Sequence, residues 1–318
     1  MHHACIKNRE ELIPWETSDT LGYSPQGQAT PYFYNPMSRL FIFLQYLLPH
    51  HGLSRITGWL AEGTLFKNVL IKAFARHYRV NLQEAEIEDP GQFENFNAFF
   101  TRALKPGARP LANEENAILC PADGAISEMG KIEADRVLQA KGRYYTVARL
   151  LADEEMARHF EDGDFVTVYL SPRDYHRVHM PLAGKLVKTI YVPGKLFSVN
   201  RVTADYVPDL FARNERLVCL FDTEAGLMAV VLVGAMIVAG IETVWGGRVC
   251  PRKHRQLQVE DYTRREQHVV LEAGAELGRF KLGSTAIVLF QSGAATLHAE
   301  LRANSPVQMG QLLATHTT

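Results

Sequence analysis

The 318-residue chain has only four cysteines, Cys5, Cys120, Cys219 and Cys250, with no C-x-x-C pair among them. That scarcity argues against a disulfide framework and against a zinc cluster, and it fits thiols kept reduced in a cytoplasmic setting. An excess of one charge is lacking too. The 34 Lys+Arg against 35 Asp+Glu leave a formal net charge of −1, so no global field points to a nucleic-acid partner. No run of about 20 apolar residues occurs, and no membrane-spanning helix is expected. The first fifteen residues carry Lys7, Arg9, Glu10 and Glu11 and no apolar centre, which is not the pattern of a signal peptide. Low-complexity tracts and solenoid repeats are missing. What is present, 47% apolar and 22% charged residues, suits a folded chain of one large domain or two modest ones.

Residues 1–30 are polar and aperiodic and are expected to form a loosely ordered extension. From Met37 the character changes. Leu40 to Leu44 and Tyr46 to Leu48 make a dense apolar patch ended by Pro49. Beyond Ser54, taken as an N-cap, Ile56, Trp59, Leu60, Phe66, Leu70, Ala73 and Phe74 recur at helical spacing. Between Met37 and Leu82 stand six Lys/Arg (Arg39, Arg55, Lys67, Lys72, Arg76, Arg79) and one acid, Glu62. Lys72, Arg76 and Arg79 share a helical face. An interfacial anchor on an anionic membrane would look like this, and so would helices packed on a core with a solvated basic face. The charge bias favours the membrane, and residues 31–94 are assigned as a helical, membrane-associating region.

Asn95 to Leu104 predicts a short helix ended by Pro106-Gly107. From Ile118 short strands follow, notably Asp164 to Leu170, Lys185 to Val192, Arg216 to Phe221 and Met228 to Val233, with one helix expected between Thr146 and Phe160. Arg252 to Gln267 is charge-rich and predicts a loop or edge excursion. The expected fold is α+β: N-terminal helices, then a mostly antiparallel β-sandwich or barrel-like domain over residues 95–318.

Three polar clusters lie in the β region. Asp123 sits in Cys120-Pro-Ala-Asp-Gly124, where an Asp-Gly turn is the ordinary use. In Ser171-Pro-Arg-Asp-Tyr-His-Arg-Val-His179, the start suggests a capping box with Pro at the first helical position, putting His176 and His179 on one side of a helical turn. His-x-x-His could bind a metal, but no nearby Cys or Glu completes a ligand set, so no metal site is assigned. Phe280-Lys-Leu-Gly-Ser-Thr285 interrupts a strand with Gly283, leaving Ser284 next to an unhindered carbonyl; a kinked strand with an incidental hydroxyl has the same pattern. Asp123, His179 and Ser284 are together compatible with an orienter, a base and a nucleophile.

His176-Arg-Val-His-Met-Pro181, with Tyr191-Val-Pro-Gly-Lys-Leu-Phe-Ser-Val-Asn200, Phe211-Ala-Arg-Asn-Glu-Arg216, Ile241-Glu-Thr-Val-Trp245 and Phe280-Lys-Leu-Gly-Ser-Thr285, resembles bacterial phosphatidylserine decarboxylases of the pyruvoyl-dependent type. The resemblance runs from about residue 95 to the C-terminus, and more loosely before it. Lys195 stands where an acidic residue is expected. The resemblance implies a proenzyme that cuts itself at Gly283-Ser284 into a large chain, 1–283, and a small chain, 284–318. Ser284 would attack the Gly283 carbonyl, with His179 as base and Asp123 as its orienter. Ser284 would become a pyruvoyl group that forms a Schiff base with phosphatidylserine and gives phosphatidylethanolamine and CO2, with His176 returning the proton. It further implies a homo-oligomer lying peripherally on the cytoplasmic face of the inner membrane, with Lys72, Arg76 and Arg79 against anionic lipid. A metal-dependent hydrolase using His176 and His179, and a non-catalytic lipid-binding module, are the competing expectations.

Overall fold

A computed structural model describes residues 36–236, 240–250, 255–281 and 284–317. The polar extension, Leu282 and Gly283 therefore lie outside the described residues. The chain divides into residues 1–40 and 41–318. In the first unit only the opening turn of the helix Pro36–Leu47 is described.

In the second unit a nine-stranded sheet dominates. Its order is Gln258–Asp261, Gly184–Val192, Arg216–Thr223, Gly226–Gly234, Ser284–Phe290, Asp164–Leu170, Gly124–Lys131 and Pro306–Val307, with Val270–Leu271 also pairing to Gly184–Val192. Every pairing is antiparallel. The strand Ser284–Phe290 runs through the middle, in unbroken register with both neighbours, and all its residues are buried.

Period-two alternation sends its side chains into two cores. Ala286, Val288 and Phe290 join Val166, Val168 and Leu170 on one face. There they meet Val178, Leu277, Phe280 and Ile241 from a four-stranded sheet of Gly247–Cys250, Gly240–Thr243, Glu276–Lys281 and Arg177–His179. Ile287 and Leu289 face the other way, onto Val147, Leu150, Ala157, Ala204, Leu210 and Phe211 of short helices. The architecture is α+β, a sheet covered by a second sheet on one face and by helices on the other. No sheet closes into a barrel among the described residues.

The expected single helix over 146–160 is two helices, Val147–Leu151 and Glu154–Arg158. Ala152 turns left-handed at φ 55° and stops the first, and the Asp153 side chain accepts from the Met156 amide at 3.1 Å to start the second. Ser54 is not an N-cap. The helix His50–Glu62 starts a turn earlier and buries Ser54, and Gly63 ends it before Lys67–Tyr78 begins. The predicted short helix appears as Phe96–Phe100, capped by the Asn95 side chain on the Ala98 amide. The charge-rich excursion contributes the edge strand Gln258–Asp261.

Candidate active site

Ser284 opens the central strand, opposite Leu170 on one side and Gly234 on the other. It is fully buried, and its Oγ has no hydrogen-bond partner among the described residues. A buried hydroxyl without a partner costs about 1–3 kcal/mol, so packing alone does not account for a serine here. The strand before it, Glu276–Lys281, pairs with Arg177–His179, so both histidines lie beside the segment that leads into Ser284. A backbone bond from Phe280 N to His176 O, 3.0 Å, extends that ladder toward the Gly-Ser step.

Asp123 stands at the entry of Gly124–Lys131. Gly124 passes so close to the adjoining strand that a Cβ there would lie 2.1 Å from the Tyr169 carbonyl oxygen, so no other residue fits behind Asp123 without backbone movement. The carboxylate is buried and accepts from Arg109 Nε (2.9 and 3.0 Å), from Arg109 Nη2 (2.5 Å) and from the Met309 amide (2.9 Å). The same turn receives the His179 amide on Pro121 O at 2.8 Å. Asp123 and His179 are thus neighbours, but no hydrogen bond joins their side chains.

The segment Ser171–Asp174 is a turn, not the helical turn expected. The Asp174 carboxylate accepts from both the Ser171 amide and the Ser171 hydroxyl at 2.7 Å, closing the loop within one turn. His179 then lies in a strand and His176 just before it, so helical i, i+3 proximity does not apply.

His179 Nδ1 lies 2.7 Å from the Gly274 carbonyl, which can only accept, so Nδ1 carries the hydrogen. Its Nε2 then accepts from the Tyr175 hydroxyl at 3.0 Å. Burial lowers the pKa of this imidazole. The Gly274 bond, Glu276 and Asp123 push it up, and Arg177 pushes it down. His179 is therefore a neutral ring at pH 7. His176 Nδ1 donates to Asp174 O at 2.8 Å, and its ring packs on Phe100 at 3.9 Å. Its Nε2 is buried with no hydrogen-bond partner among the described residues. Burial first, and Arg102 beside it, push its pKa down to about 3. Among the described residues no group of three His, Cys, Asp or Glu is placed to hold a metal ion.

Lys72, Arg76 and Arg79 are all exposed. Close to them in sequence the apolar side chains are exposed as well: Trp59 at 74%, Leu65 at 83%, Phe66 at 82% and Val69 at 69%. No helix among the described residues is long and apolar enough to cross a membrane. Gln45 and His50 fasten the apolar helices to the body. Gln45 Oε1 accepts from the Ser198 amide at 2.8 Å, and His50 Nδ1 from the Leu196 amide at 3.3 Å.

Sequence reasoning missed Arg109, Tyr175, Gly274 and Met309. Gly274 and Met309 act through backbone atoms, which leave no residue-type signal. Tyr175 and Arg109 are ordinary polar residues until the fold brings them to His179 and Asp123.

The family model described as phosphatidylserine decarboxylase matches residues 96–315, and a second, described as PSD, matches residues 40–79. A phosphatidylserine decarboxylase proenzyme from Pseudomonas aeruginosa is 63% identical over 280 residues, which is 87% of this chain and 96% of the relative. Proenzymes of the same name from Pseudomonas putida and Pseudomonas entomophila are 61% and 60% identical over 281 residues, each 87% of this chain and 98% of the relative. With the family model spanning the whole β-rich region and these relatives matched over nearly their full length, the chain belongs to the phosphatidylserine decarboxylase family, a family of carboxy-lyases.

Proposed function

We propose that the chain is the precursor of a pyruvoyl-dependent phosphatidylserine decarboxylase that makes phosphatidylethanolamine and CO2 at the cytoplasmic face of the cell membrane. The observation that carries this reading is the Ser284 hydroxyl, buried at the head of the central strand with no partner among the described residues, just after the strand Glu276–Lys281 that pairs with Arg177–His179.

Self-cleavage uses this chain's own groups. Ser284 Oγ adds to the Gly283 carbonyl carbon and gives its proton to His179 Nε2, which is neutral and carries the lone pair. Collapse breaks the Gly283–Ser284 C–N bond as the His179 ring returns that proton to the leaving nitrogen, which leaves an ester on Oγ and a free amine. Loss of the Ser284 Cα proton expels the Gly283 carboxylate. Addition of water and departure of ammonia then leave a ketone at residue 284. Chains 1–283 and 284–318 result. For Nε2 to take the Ser284 proton, the Tyr175 hydroxyl must release it.

A pyruvoyl carbonyl at residue 284 supplies the electron sink for the carbanion left when CO2 departs. The residues present fit such a group: a ketone carries no hydroxyl proton and needs no acceptor for one, which removes the unsatisfied donor that Ser284 leaves in the precursor. His176 is proposed to return a proton to the reacting carbon. Being neutral at rest, with a free Nε2 lone pair, it works by relaying a proton rather than by storing one.

Residues 31–94 are proposed as the membrane-associating region and residues 95–318 as the catalytic domain. Exposed apolar side chains beside Lys72, Arg76 and Arg79 suit an interface that presents anionic phosphatidylserine. The homo-oligomer implied by the resemblance remains part of the proposal, and sedimentation analysis measures it. The function is tested by CO2 release from phosphatidylserine vesicles. The wild-type chain is expected to release it and the Ser284→Ala chain none, and equal release by both would overturn the reading.

A further inference from the structure

Arg109 is the hub of the polar network under the site. Its side chain is only 6% exposed. Nε and Nη2 donate to Asp123, Nη1 and Nη2 donate to Glu84 at 3.1 Å each, and Nη1 also donates to Ala108 O at 2.8 Å. All five N–H groups of the guanidinium are therefore committed inside the protein. No donor is left for a substrate, so Arg109 acts on the site only through what it holds.

What it holds is the Asp123 carboxylate, in a planar two-point contact that fixes orientation as well as charge. Asp123 Oδ1 also takes the Met309 amide, so three N–H groups hold the carboxylate and none of them comes from the His179 ring. The ring's own nitrogens are occupied by Gly274 O and Tyr175 OH. Two carboxylates share this one guanidinium, and the Arg102 guanidinium lies near enough to act on both, so Arg109 sets only part of the compensation that Asp123 receives. We propose that Arg109 is a positioning residue for this site: it holds the Asp123 carboxylate against the Met309 amide and off the His179 imidazole, and so sets how much of that carboxylate's charge reaches the base. The inference rests on the proposed role of His179 in self-cleavage.

The charges acting on His179 are Glu276, Arg177 and Asp123, with the Tyr175 hydroxyl and the Gly274 carbonyl in direct contact. Changes at Arg109 and Glu84 leave these five groups in the chain and alter only the compensation of Asp123. The two changes act in opposite directions. Without the guanidinium more negative charge faces the imidazole, which then holds its proton to higher pH. Without the Glu84 charge Arg109 compensates Asp123 more fully, and the imidazole loses its proton at lower pH.

The test is an NMR titration of the His179 ring in histidine-labelled full-length chain carrying Ser284→Ala, with the signal assigned by its loss in His179→Asn. Arg109→Gln is expected to raise the midpoint by about half to one pH unit and Glu84→Gln to lower it by a similar amount, as for charges several ångströms apart near a protein surface. Arg109→Lys, which keeps the charge, stays near the parent. Midpoints equal to the parent's in both variants, or shifted the same way in both, would overturn the inference. If Arg109→Gln does not fold, the direction of the Glu84→Gln shift decides alone. Because the Ser284→Ala chain needs no cleavage for this readout, unmoved midpoints count against Arg109 only, whereas a wild-type chain that stays in one piece counts against the proposed function only.

Discussion

At the scale of single residues, the proposed chemistry turns on two imidazoles whose pKa values burial lowers. His179 works as a base only without a proton, and its pKa is lowered from the ordinary value of 6.5. The splitting rate should therefore be flat across neutral pH and fall only on the acid side of the ordinary imidazole range, where the buried ring takes up its proton. His179→Asn should slow splitting by about 10²–10⁴-fold, the usual worth of a positioned acid–base group. A time course of chain separation against pH checks both points. His176 makes a separate mark on stability. Its folded pKa of about 3 lies below the unfolded value of 6.5. Between these values the unfolded chain binds a proton that the folded chain does not, so stability present above pH 6.5 is lost as pH falls toward 3. Urea denaturation of the Ser284→Ala chain should show this loss, and the His176→Asn version should lack that part of it. The residues alone left Asp123, His176, His179 and Ser284 open to ordinary readings, and it was the family resemblance that singled them out. Their partners were not legible. Which atoms Asp123 accepts from depends on Arg109 arriving from another segment and on the Met309 backbone, and no local pattern encodes either.

At the scale of elements, the central strand carries the proposed nucleophile and the core at once. Ile287 is fully buried between the sheet and the helices behind it. Ile287→Ala should cost about 2–5 kcal/mol in denaturant titrations, the range for a large-to-small change in a packed core. Such a loss would show that Ser284 sits on a rigid element. Asp164–Leu170, Gly184–Val192, Arg216–Thr223, Gly226–Gly234 and Ser284–Phe290 were readable from their apolar residues, whereas Gly124–Lys131, Gln258–Asp261, Val270–Leu271 and Pro306–Val307 are too polar or too short to show in the sequence. The turn at Ser171–Asp174 was misread because the same Ser-Pro-x-Asp pattern that opens a helix also closes a turn when a buried strand follows at once. The break at Ala152 left no trace, since alanine ordinarily favours helix. The N-terminal helices pose the opposite question, because their apolar side chains are legible but their exposure is not. Replacing Lys72, Arg76 and Arg79 by Glu should weaken binding to anionic vesicles at least tenfold, taking about 1 kcal/mol for each cation near such a surface. Unchanged co-sedimentation would remove the membrane assignment.

At the scale of the whole molecule, the proposed cut would free the head of a strand that stays hydrogen-bonded on both sides. Residues 284–290 pair with Asp164–Leu170 and Gly226–Gly234, and Leu312–His316 pairs with Ala117–Leu119. The two chains should remain one particle after cleavage and separate only in denaturant. That arrangement explains how a strand in the middle of a sheet can be cut at its end without loss of the fold. The most direct test of the central claim is the intact mass of the purified protein under denaturing conditions, beside a Ser284→Ala control. Two masses dividing the chain at 283/284, with the small chain lighter by one ammonia than a serine-started peptide, are the predicted result. A single full-length mass identical in behaviour to the control would contradict it.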